Sequence, residues 1–354
     1  MYRVMIHPAS YENCRKAVDR AFELFPQDIA QKKVVIKPNV LRASAAEEHI
    51  VTNPSLLRAV VEKVEEMSPA SIVVGDNPGL YDYGDNENSF RKTGLMDASK
   101  GYYKNLGDTT QNLSFNSDLM PNVGVSKEIM DADIFISLPK FKTHGLTVLT
   151  GAIKNSYGIL PGAQKARLHQ IAGSPERFHD VIVEVFRLRI PDLFIMDAVV
   201  GMEGNGPASP ELREIGLILA ADNAVALDGV VARMMGLDPS RLRFLQKAKA
   251  MGLGDFDSKM IKIDGKMRIL PDFKLPPLGG EALDNPAVQE LMQTKSQVRP
   301  QADPELCTAC GSCIDHCPVS ALTMEENLPV VDVDICITCF CCQEICPEKA
   351  MALR

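Results

Sequence analysis

Nine of the ten cysteines in this chain fall between positions 307 and 346. They form two runs with the spacing C-x2-C-x2-C-x3-C-P, the first at 307–318 and the second at 336–347. The two-residue spacing lets one loop wrap three thiolates around a face of an iron–sulfur cubane, while the thiolate before the proline points away. The repeated run therefore predicts two 4Fe–4S clusters.

Zinc sites and disulfides are the two alternatives for such a cysteine-rich segment. Zinc sites use paired C-x2-C, but two four-cysteine runs that each end in Cys-Pro are not a zinc pattern. Disulfides need an oxidising compartment, and the first residues, MYRVMIHPAS, show no export signal. Cys341 and Cys14 lie outside the repeated spacing. We interpret Cys341 as a spectator, with an alternative cluster ligand and a redox-reactive thiol left open, and Cys14 as a small buried residue of a predicted helix.

The segment 301–354 resembles the bacterial-type two-cluster ferredoxins. By position, the resemblance implies one cluster held by Cys307, Cys310, Cys313 and Cys346, and another held by Cys336, Cys339, Cys342 and Cys317. It also implies a strand at 328–334 between the two binding loops, with a partner strand at 321–324. Two adjacent clusters transfer electrons one at a time, and such a domain cannot select a substrate by itself. The preceding residues must therefore supply the site that the electrons serve.

The preceding residues alternate hydrophobic runs with amphipathic stretches. The runs predict strands at 2–6, 33–37, 71–76, 133–139, 192–198 and 214–222. The amphipathic stretches predict helices at 11–25, 54–67, 175–189 and 223–235. This alternation predicts an α/β body with a mostly parallel or mixed sheet flanked by helices, plus a small C-terminal α+β ferredoxin-type domain. Residues 101–130 leave antiparallel strands open.

Three segments follow from these patterns. The α/β body takes residues 1–275, as one unit or as two subdomains. Residues 276–300 are predicted to form a linker and a short helix, because FKLPPLGGEALDNP at 273–286 is rich in proline and glycine. The ferredoxin-type domain takes residues 301–354.

The formal net charge of −8 lies mostly in the last segment. Residues 301–354 contain nine acidic and two basic side chains, so the body is close to neutral. This distribution argues against nucleic-acid binding, which needs a basic surface, and fits either docking to a basic redox partner or a solvated surface. No apolar run reaches the roughly 18 to 20 residues that cross a bilayer. We therefore expect a cytoplasmic protein with no membrane partner.

Polar residues follow several predicted strands, at the edge where α/β sheets collect ligands. Asn39 comes after the strand at 33–37, and Asp76 ends the strand at 71–76. Both are candidates to orient a ligand, although asparagine and aspartate are also ordinary turn formers.

The stretch KFKTHGLTVLTGAIKNSYGILPG at 140–162 follows another predicted strand and mixes charges with glycines. Lys140, Lys142 and Lys154 are predicted to hold an anion as flexible point charges, with Asn155 as a neighbouring ligand contact. The anion would be a small substrate or an acidic cofactor. Solvated lysines are the structural alternative.

His144 and His169 are candidates for proton transfer, because an imidazole titrates near neutral pH. Buried structural histidines are the alternative at these positions. We accept that alternative for His7, His49 and His179.

Four segments of the body together resemble the DUF362 family, which is often followed by a ferredoxin domain. They are KPNVL (37–41), VVGDNPG (73–79), LPKFKTHGLTVLTGAIKNSYGILPG (138–162) and MDAVVGMEGNGP (196–207). The resemblance covers nearly the whole chain, but the family name records an unassigned function and implies no reaction.

Residues 144–169 are more distantly similar to the cofactor-holding segment of nickel-pincer lactate racemases. The resemblance rests on His144, Lys154, the LPG at 160–162 and His169. It implies acid–base or ligand roles for the two histidines and makes Lys154 the anchor of a covalently held nickel cofactor. The glycine pairs that flank the lysine in those enzymes are not matched by AIKNS.

These observations predict an iron–sulfur oxidoreductase that passes electrons between its clusters and an anionic substrate or cofactor in the body. No flavin or nicotinamide fingerprint is present, so a further organic or redox cofactor stays open. A non-catalytic electron carrier or docking module is the first alternative. A racemase-like isomerase is the second.

Overall fold

The structure is a computed structural model of the chain. It describes residues 1–78, 86–117, 119–172, 174–276, 299–315, 317, 319–336, 342–343, 346–348 and 350–353. For residues 116, 117, 163, 166, 170, 352 and 353 the backbone alone is described. The predicted linker and helix at 276–300 therefore lie almost wholly outside the described residues, as do Cys339 and Cys341.

The body alternates strands and helices in chain order. Its first half contains β1 (Tyr2–Pro8), α1 (Cys14–Leu24), β2 (Lys33–Pro38), α2 (Pro54–Glu65), β3 (Ser71–Val74), α3 (Asn86–Lys92), α4 (Leu95–Ala98), β4 (Thr110–Ser117), β5 (Met120–Ser126), α5 (Lys127–Met130) and β6 (Ile134–Leu138). Its second half contains β7 (Lys140–His144), β8 (Val148–Leu149), α6 (Gly151–Asn155), α7 (Gly162–Ala172), α8 (Pro175–Phe186), β9 (Leu193–Met202), β10 (Leu212–Ala221), α9 (Ala224–Met234), α10 (Arg243–Ala250) and β11 (Ile261–Gly265).

Helix starts in the body follow local capping chemistry. The Asn53 side chain accepts a hydrogen bond from the backbone N–H of Ser55 at the start of α2, with proline at the first helical position. Asn223 accepts one from Ala226 at the start of α9. Each cap satisfies an N–H that has no partner within its helix, so these asparagines fix where the two helices begin.

One mixed sheet of nine described strands organises the body, with the main order β11-β1-β10-β9-β6-β2-β3. Strands β9, β6, β2 and β3 are mutually parallel, and β10 is antiparallel to both of its neighbours. β7 branches from the path, parallel to β9 and antiparallel to β8. Because β6, β2 and β3 run in the same direction, their carboxyl ends meet at one edge of the sheet.

Both faces of the sheet are covered. Alternate residues of β2 enter different cores, with Val35 on one side and Val34 and Ile36 on the other. The first core also holds α6, α8, α9 and α10, and the second holds α1 and α2. Strands buried on both faces read as continuous Val/Ile runs, which is why these runs could be predicted from sequence.

The C-terminal domain contains β12 (Pro300–Ala302), α11 (Ser312–Asp315), β13 (Leu322–Glu325), β14 (Leu328–Val331) and β15 (Met351–Leu353). β13 pairs with β14, and β12 pairs with β15, both antiparallel. A small core around Cys313, Leu322 and Met351 holds the two pairs together.

The predicted fold class is confirmed, and so are the six predicted body strands and the four predicted helices. Residues 101–130 contain the antiparallel pair β4–β5. The sequence patterns predicted no element where β7, β8, α6 and α7 lie, and they also missed α3, α4, α5, α10 and β11. Among the described residues, no helix is long and apolar enough to cross a membrane.

Candidate functional site

A cleft of about 590 Å3, measured with its opening to solvent, lies at the carboxyl ends of β2 and β3. We call it the lysine cleft, because Lys37, Lys142, Lys154 and Lys165 line it. The other polar lining residues are Asn39, Asp76, Asn77, Thr150, Asn155, Tyr157 and His169. The structure thus brings six sequence-predicted site residues to one place: Asn39, Asp76, Lys142, Lys154, Asn155 and His169.

Lys37 and Asp76 form a buried ion pair in the wall of the cleft, with 2.8 Å between Nζ and Oδ1. Asp76 also accepts a hydrogen bond from the backbone N–H of Val40 at 2.8 Å. Burial lowers the pKa of Lys37 and raises the pKa of Asp76, while the charge of each partner opposes the shift of the other. A Cβ at Gly158 would lie 2.2 Å from Asp76 Oδ1, so glycine is needed where this backbone crosses the pair.

Asn155 joins the walls of the cleft. Its Oδ1 accepts hydrogen bonds from Asn39 Nδ2 at 3.0 Å and from Lys37 Nζ at 3.4 Å. Its Nδ2 donates to Ser137 Oγ at 2.9 Å. Asn155 is therefore a structural link between α6 and the strand ends, and one N–H of its amide is left over from these bonds.

Backbone carbonyls hold two of the cleft lysines in place. Lys142 Nζ donates to the carbonyl of Ile50 at 2.8 Å, and Lys165 Nζ donates to the carbonyls of Asn77 and Pro78. A carbonyl fixes the position of an ammonium group without removing its charge. Lys154 at the end of α6 is more exposed than these two.

His169 lies on α7 with its ring stacked on Phe178, at 4.0 Å between ring centroids. The Tyr157 ring meets it edge-on at 5.4 Å. These contacts orient the imidazole where it lines the cleft, as proton transfer to a bound ligand requires.

Lys140 does not line the lysine cleft, which corrects its predicted anion-binding role. Its ammonium is fully buried and pairs with Asp197 Oδ2 at 2.8 Å, with the Tyr11 hydroxyl at 3.2 Å. Burial lowers the pKa of Lys140, and the charge of Asp197 opposes that shift. The register of β7 against β9 also shifts between Lys140 and Lys142, which separates two lysines that a regular strand would place on one face.

His144 is likewise not among the described lining residues of the cleft. Its ring is buried, and Nδ1 accepts hydrogen bonds from the backbone N–H groups of Leu146 and Thr147 at 3.1 and 3.3 Å. The racemase-like set of His144, Lys154 and His169 is therefore not gathered at this cleft. His144 stabilises the turn between β7 and β8.

Three residues of the cleft were not predicted from the sequence: Lys37, Lys165 and Thr150. Lys37 precedes Asn39 at the same strand end, so its position was a usable signal. The Thr150 hydroxyl is buried in the cleft and has no hydrogen-bond partner among the described residues, so Thr150 is a candidate ligand contact. No sequence pattern distinguishes Lys165 from an ordinary helix-surface lysine.

A second pocket, of about 300 Å3 measured with its opening to solvent, is lined by four predicted cluster ligands: Cys307, Cys310, Cys313 and Cys346. Cys346 belongs to the second cysteine run, so this pocket is lined by cysteines of both runs. No group of His, Cys, Asp and Glu among the described residues is arranged to hold a single metal ion. Four thiols around a cavity instead fit a cluster. Burial raises the pKa of the Cys313 thiol to about 11.

Three of the four ligands predicted for the other cluster are described: Cys317, Cys336 and Cys342. Cys317 Sγ accepts the backbone N–H of Ala321 at 3.2 Å, and Cys346 Sγ accepts that of Ala350 at 3.3 Å. The two cysteines before proline thus make equivalent N–H···S bonds, as the internal repeat predicts. Such bonds tune cluster potentials.

A third pocket, of about 470 Å3 measured with its opening to solvent, lies between the two parts of the chain. It is lined by residues 205–210 of the body and by Gln343 and Met351 of the C-terminal domain. Pro207 lines this cavity and also the lysine cleft. The loop after β9 therefore lies between the cleft and the residue that follows Cys342.

Together these features define an iron–sulfur protein: an α/β body with a lysine-lined cleft at its strand ends, joined to a ferredoxin-type domain. The profile of a 4Fe-4S dicluster domain matches residues 299–347. The profile described as "Domain of unknown function (DUF362)" matches residues 34–233. The chain belongs to the DUF362 family, which confirms the resemblance seen in the sequence.

One relative is the thylakoid-associated protein sll1697 of Synechocystis sp. (strain ATCC 27184 / PCC 6803 / Kazusa). It is 32% identical over 225 residues, which are 62% of this chain and 68% of that protein. A solved structure of a Thermotoga maritima protein overlaps 53% of this chain and 50% of its own, at 11% identity and a TM-score of 0.34. A similarity that low carries no argument about function.

Proposed function

We propose that this protein is an iron–sulfur oxidoreductase with two 4Fe–4S clusters. Electrons would pass between a redox partner protein and an anionic substrate or cofactor in the lysine cleft. The clusters supply one-electron transfer when they are bound. Lys142, Lys154 and Lys165 position the anion, the Thr150 hydroxyl donates a hydrogen bond to it, and His169 exchanges protons with it.

The observation that carries this proposal is the position of the loop after β9. Pro207 in that loop lines the lysine cleft, and the same loop shares a cavity with Gln343, next to the predicted ligand Cys342. A ligand site beside a cluster-binding segment suits electron transfer between them. A simple carrier has no need for a buried basic cleft at that position.

Anaerobic purification followed by iron, flavin, nickel and small-molecule analysis tests the proposal. We expect about eight irons per chain, as two 4Fe–4S clusters require, together with a stoichiometric bound anion or organic cofactor. Eight irons and no other bound molecule would support the non-catalytic carrier instead. Stoichiometric nickel would favour the racemase-like alternative.

The Lys154→Ala variant is expected to retain both clusters and the fold but to lose the bound molecule. The reason is that Lys154 presents its ammonium to the cleft from the end of α6, whereas the cluster cysteines lie in a separate domain. Mass spectrometry of the released small molecules and an iron assay on the same preparation measure the two effects.

Lys259→Ala is the matched control. Lys259 is an exposed lysine on the 3-10 turn Ser258–Met260 and does not line the cleft, so this variant should keep the bound molecule. Retention of the molecule in both variants would remove Lys154 from the binding site.

A further inference from the structure

Asp228 is a buried carboxylate that the proposed function does not use. It lies on α9 and is wholly inaccessible to solvent. Its two oxygens accept hydrogen bonds from the backbone N–H groups of Ala152 at 2.6 Å and Ile153 at 3.0 Å. These donors are in the first turn of α6, where backbone N–H groups have no partner within the helix. Asp228 therefore caps α6 from another helix.

The chain at the start of α6 fits closely around this carboxylate. Gly151 has a φ of +61°, a conformation that favours glycine. A Cβ at that position would lie 2.5 Å from Asp228 Oδ1. The backbone at Gly151 can approach the Asp228 carboxylate this closely because glycine has no Cβ.

Helix α6 is only five residues long and ends at the lysine cleft. Lys154 and Asn155 both line the cleft, and they follow Ile153 by one and two residues respectively. Asn155 in turn holds Asn39 and Lys37 through its Oδ1. Any movement at the start of so short a helix therefore reaches the residues of the cleft.

The protonation state of Asp228 decides how many N–H groups it can accept. An ionised carboxylate offers both oxygens, whereas a protonated carboxyl carries a hydrogen on one oxygen and accepts less well there. Burial raises the pKa of Asp228 to about 7, and the hydrogen bonds from Ala152 and Ile153 oppose that shift.

No charged side chain of the described residues contributes to this shift. The elements that pack against α9 are α6, α10, β1, β10 and the 3-10 turn Pro239–Arg241. Their charged or titratable side chains, with those of α9 itself and of α8, which packs against α6, are Lys154, Arg243, Lys247, Lys249, Tyr2, Arg3, His7, Arg213, Glu214, Arg241, Arg233, Glu176, Arg177, His179, Asp180 and Glu184. Asp180 and Glu184 form ion pairs with residues of α10, and Arg233 donates to the carbonyls of Gly229 and Phe256. The environment of Asp228 is thus set by burial and by the backbone of α6.

We propose that Asp228 is a positioning residue for the lysine cleft: its carboxylate holds the start of α6, and proton uptake by Asp228 releases Ala152 or Ile153 and shifts Lys154 and Asn155. This inference rests on the proposed function in one respect, namely that the lysine cleft is the ligand site. The geometry on which it depends is independent of any ligand. The cleft would be in its ordered form above about pH 7 and would loosen below it.

The position of Lys154 can be followed by NMR on the full chain with its clusters bound. Reductive methylation with 13C-formaldehyde labels accessible lysines, and the Lys154 signal is identified by its loss in Lys154→Arg. We expect that signal to show an inflection near pH 7 in the unsubstituted protein. In Asp228→Asn, which cannot titrate there, the inflection should be absent, and its persistence would overturn the proposal.

Asp238→Asn is the matched control for the same chemical change. Asp238 caps the 3-10 turn Pro239–Arg241 by accepting the N–H of Ser240, and it does not contact α6. This variant should retain the Lys154 inflection. Loss of the inflection in the control would show that the signal follows general changes in the protein and would overturn the assignment to Asp228.

Hydrogen exchange of the unsubstituted protein provides a second test that does not require the Asp228→Asn variant to fold. After correction for the intrinsic pH dependence, protection of the Ala152 and Ile153 amides should fall several-fold as the pH drops from 8 to 6. Constant protection would overturn the proposal. Neither measurement involves a ligand, so failure to find a bound anion would refute the proposed function and leave this inference to be judged separately.

Discussion

Replacement of Cys313 by alanine is expected to remove one cluster, lowering the iron content from about eight to about four atoms per chain. The thiol of Cys313 is buried in the small C-terminal core and faces the cavity that it shares with three other cysteines. Without the Cys313 thiolate, one of the four irons of that cluster would have no protein ligand at this buried position. Iron analysis and EPR spectra of the dithionite-reduced protein measure the loss.

The same cavity makes a sharper prediction about the interleaved ligands. Cys346→Ala should change the same EPR signal as Cys313→Ala, although the two residues belong to different cysteine runs, because both line one cavity. Cys317→Ala should change the other signal. Cys14→Ala is the control, since Cys14 lies on α1 in the body, and it should leave iron content and spectra unchanged. Matching spectra for Cys313→Ala and Cys317→Ala would disprove the assignment.

The Asp197→Asn variant is expected to lower the free energy of unfolding by roughly 3–5 kcal/mol. Asp197 and Lys140 are both fully buried, and Asp197 also accepts the backbone N–H of Asn53 at 2.9 Å. An asparagine keeps the shape and an acceptor oxygen but leaves the Lys140 ammonium without its counter-ion. Urea unfolding followed by far-UV circular dichroism measures the change.

Two further variants separate the cost of the lone charge from other effects. The double variant Asp197→Asn with Lys140→Met should recover most of the lost stability, because it removes the buried charge as well. Asp131→Asn breaks the exposed pair with Lys127 on α5 and should cost only about 0.5 kcal/mol. Equal losses in Asp197→Asn and in the double variant would show that the ammonium is not the source of the cost.

Much of the fold could be predicted from the sequence because its signals are local. Strands β2, β3 and β6 are buried on both faces, so they appear as uninterrupted apolar runs. Helix α8 buries one face against the sheet and shows the corresponding period. By contrast, α7 and β7 carry charged residues among glycines and apolar residues, a mixture with no clear period.

The candidate site was only partly predictable, and the lysines show why. Lys140 and Lys142 are two residues apart and look equivalent in the sequence. Because the register between β7 and β9 shifts, Lys140 forms a buried ion pair with Asp197, while Lys142 lines the cleft. Lys165 reaches the same cleft from α7, a contact that depends on how α7 packs.

The cluster-binding motifs, the alternating α/β architecture and the strand ends at which polar residues collect can all be predicted from the order of residues. These properties depend on spacing and periodicity, which are set along the chain. The tertiary structure alone decided which charges share the cleft, which are neutralised in the core, and that Asp228 caps α6. Those outcomes depend on contacts between residues far apart in the chain, such as Lys140 with Asp197 and Ala152 with Asp228. A local pattern contains no information about which distant group will supply the partner of a buried charge.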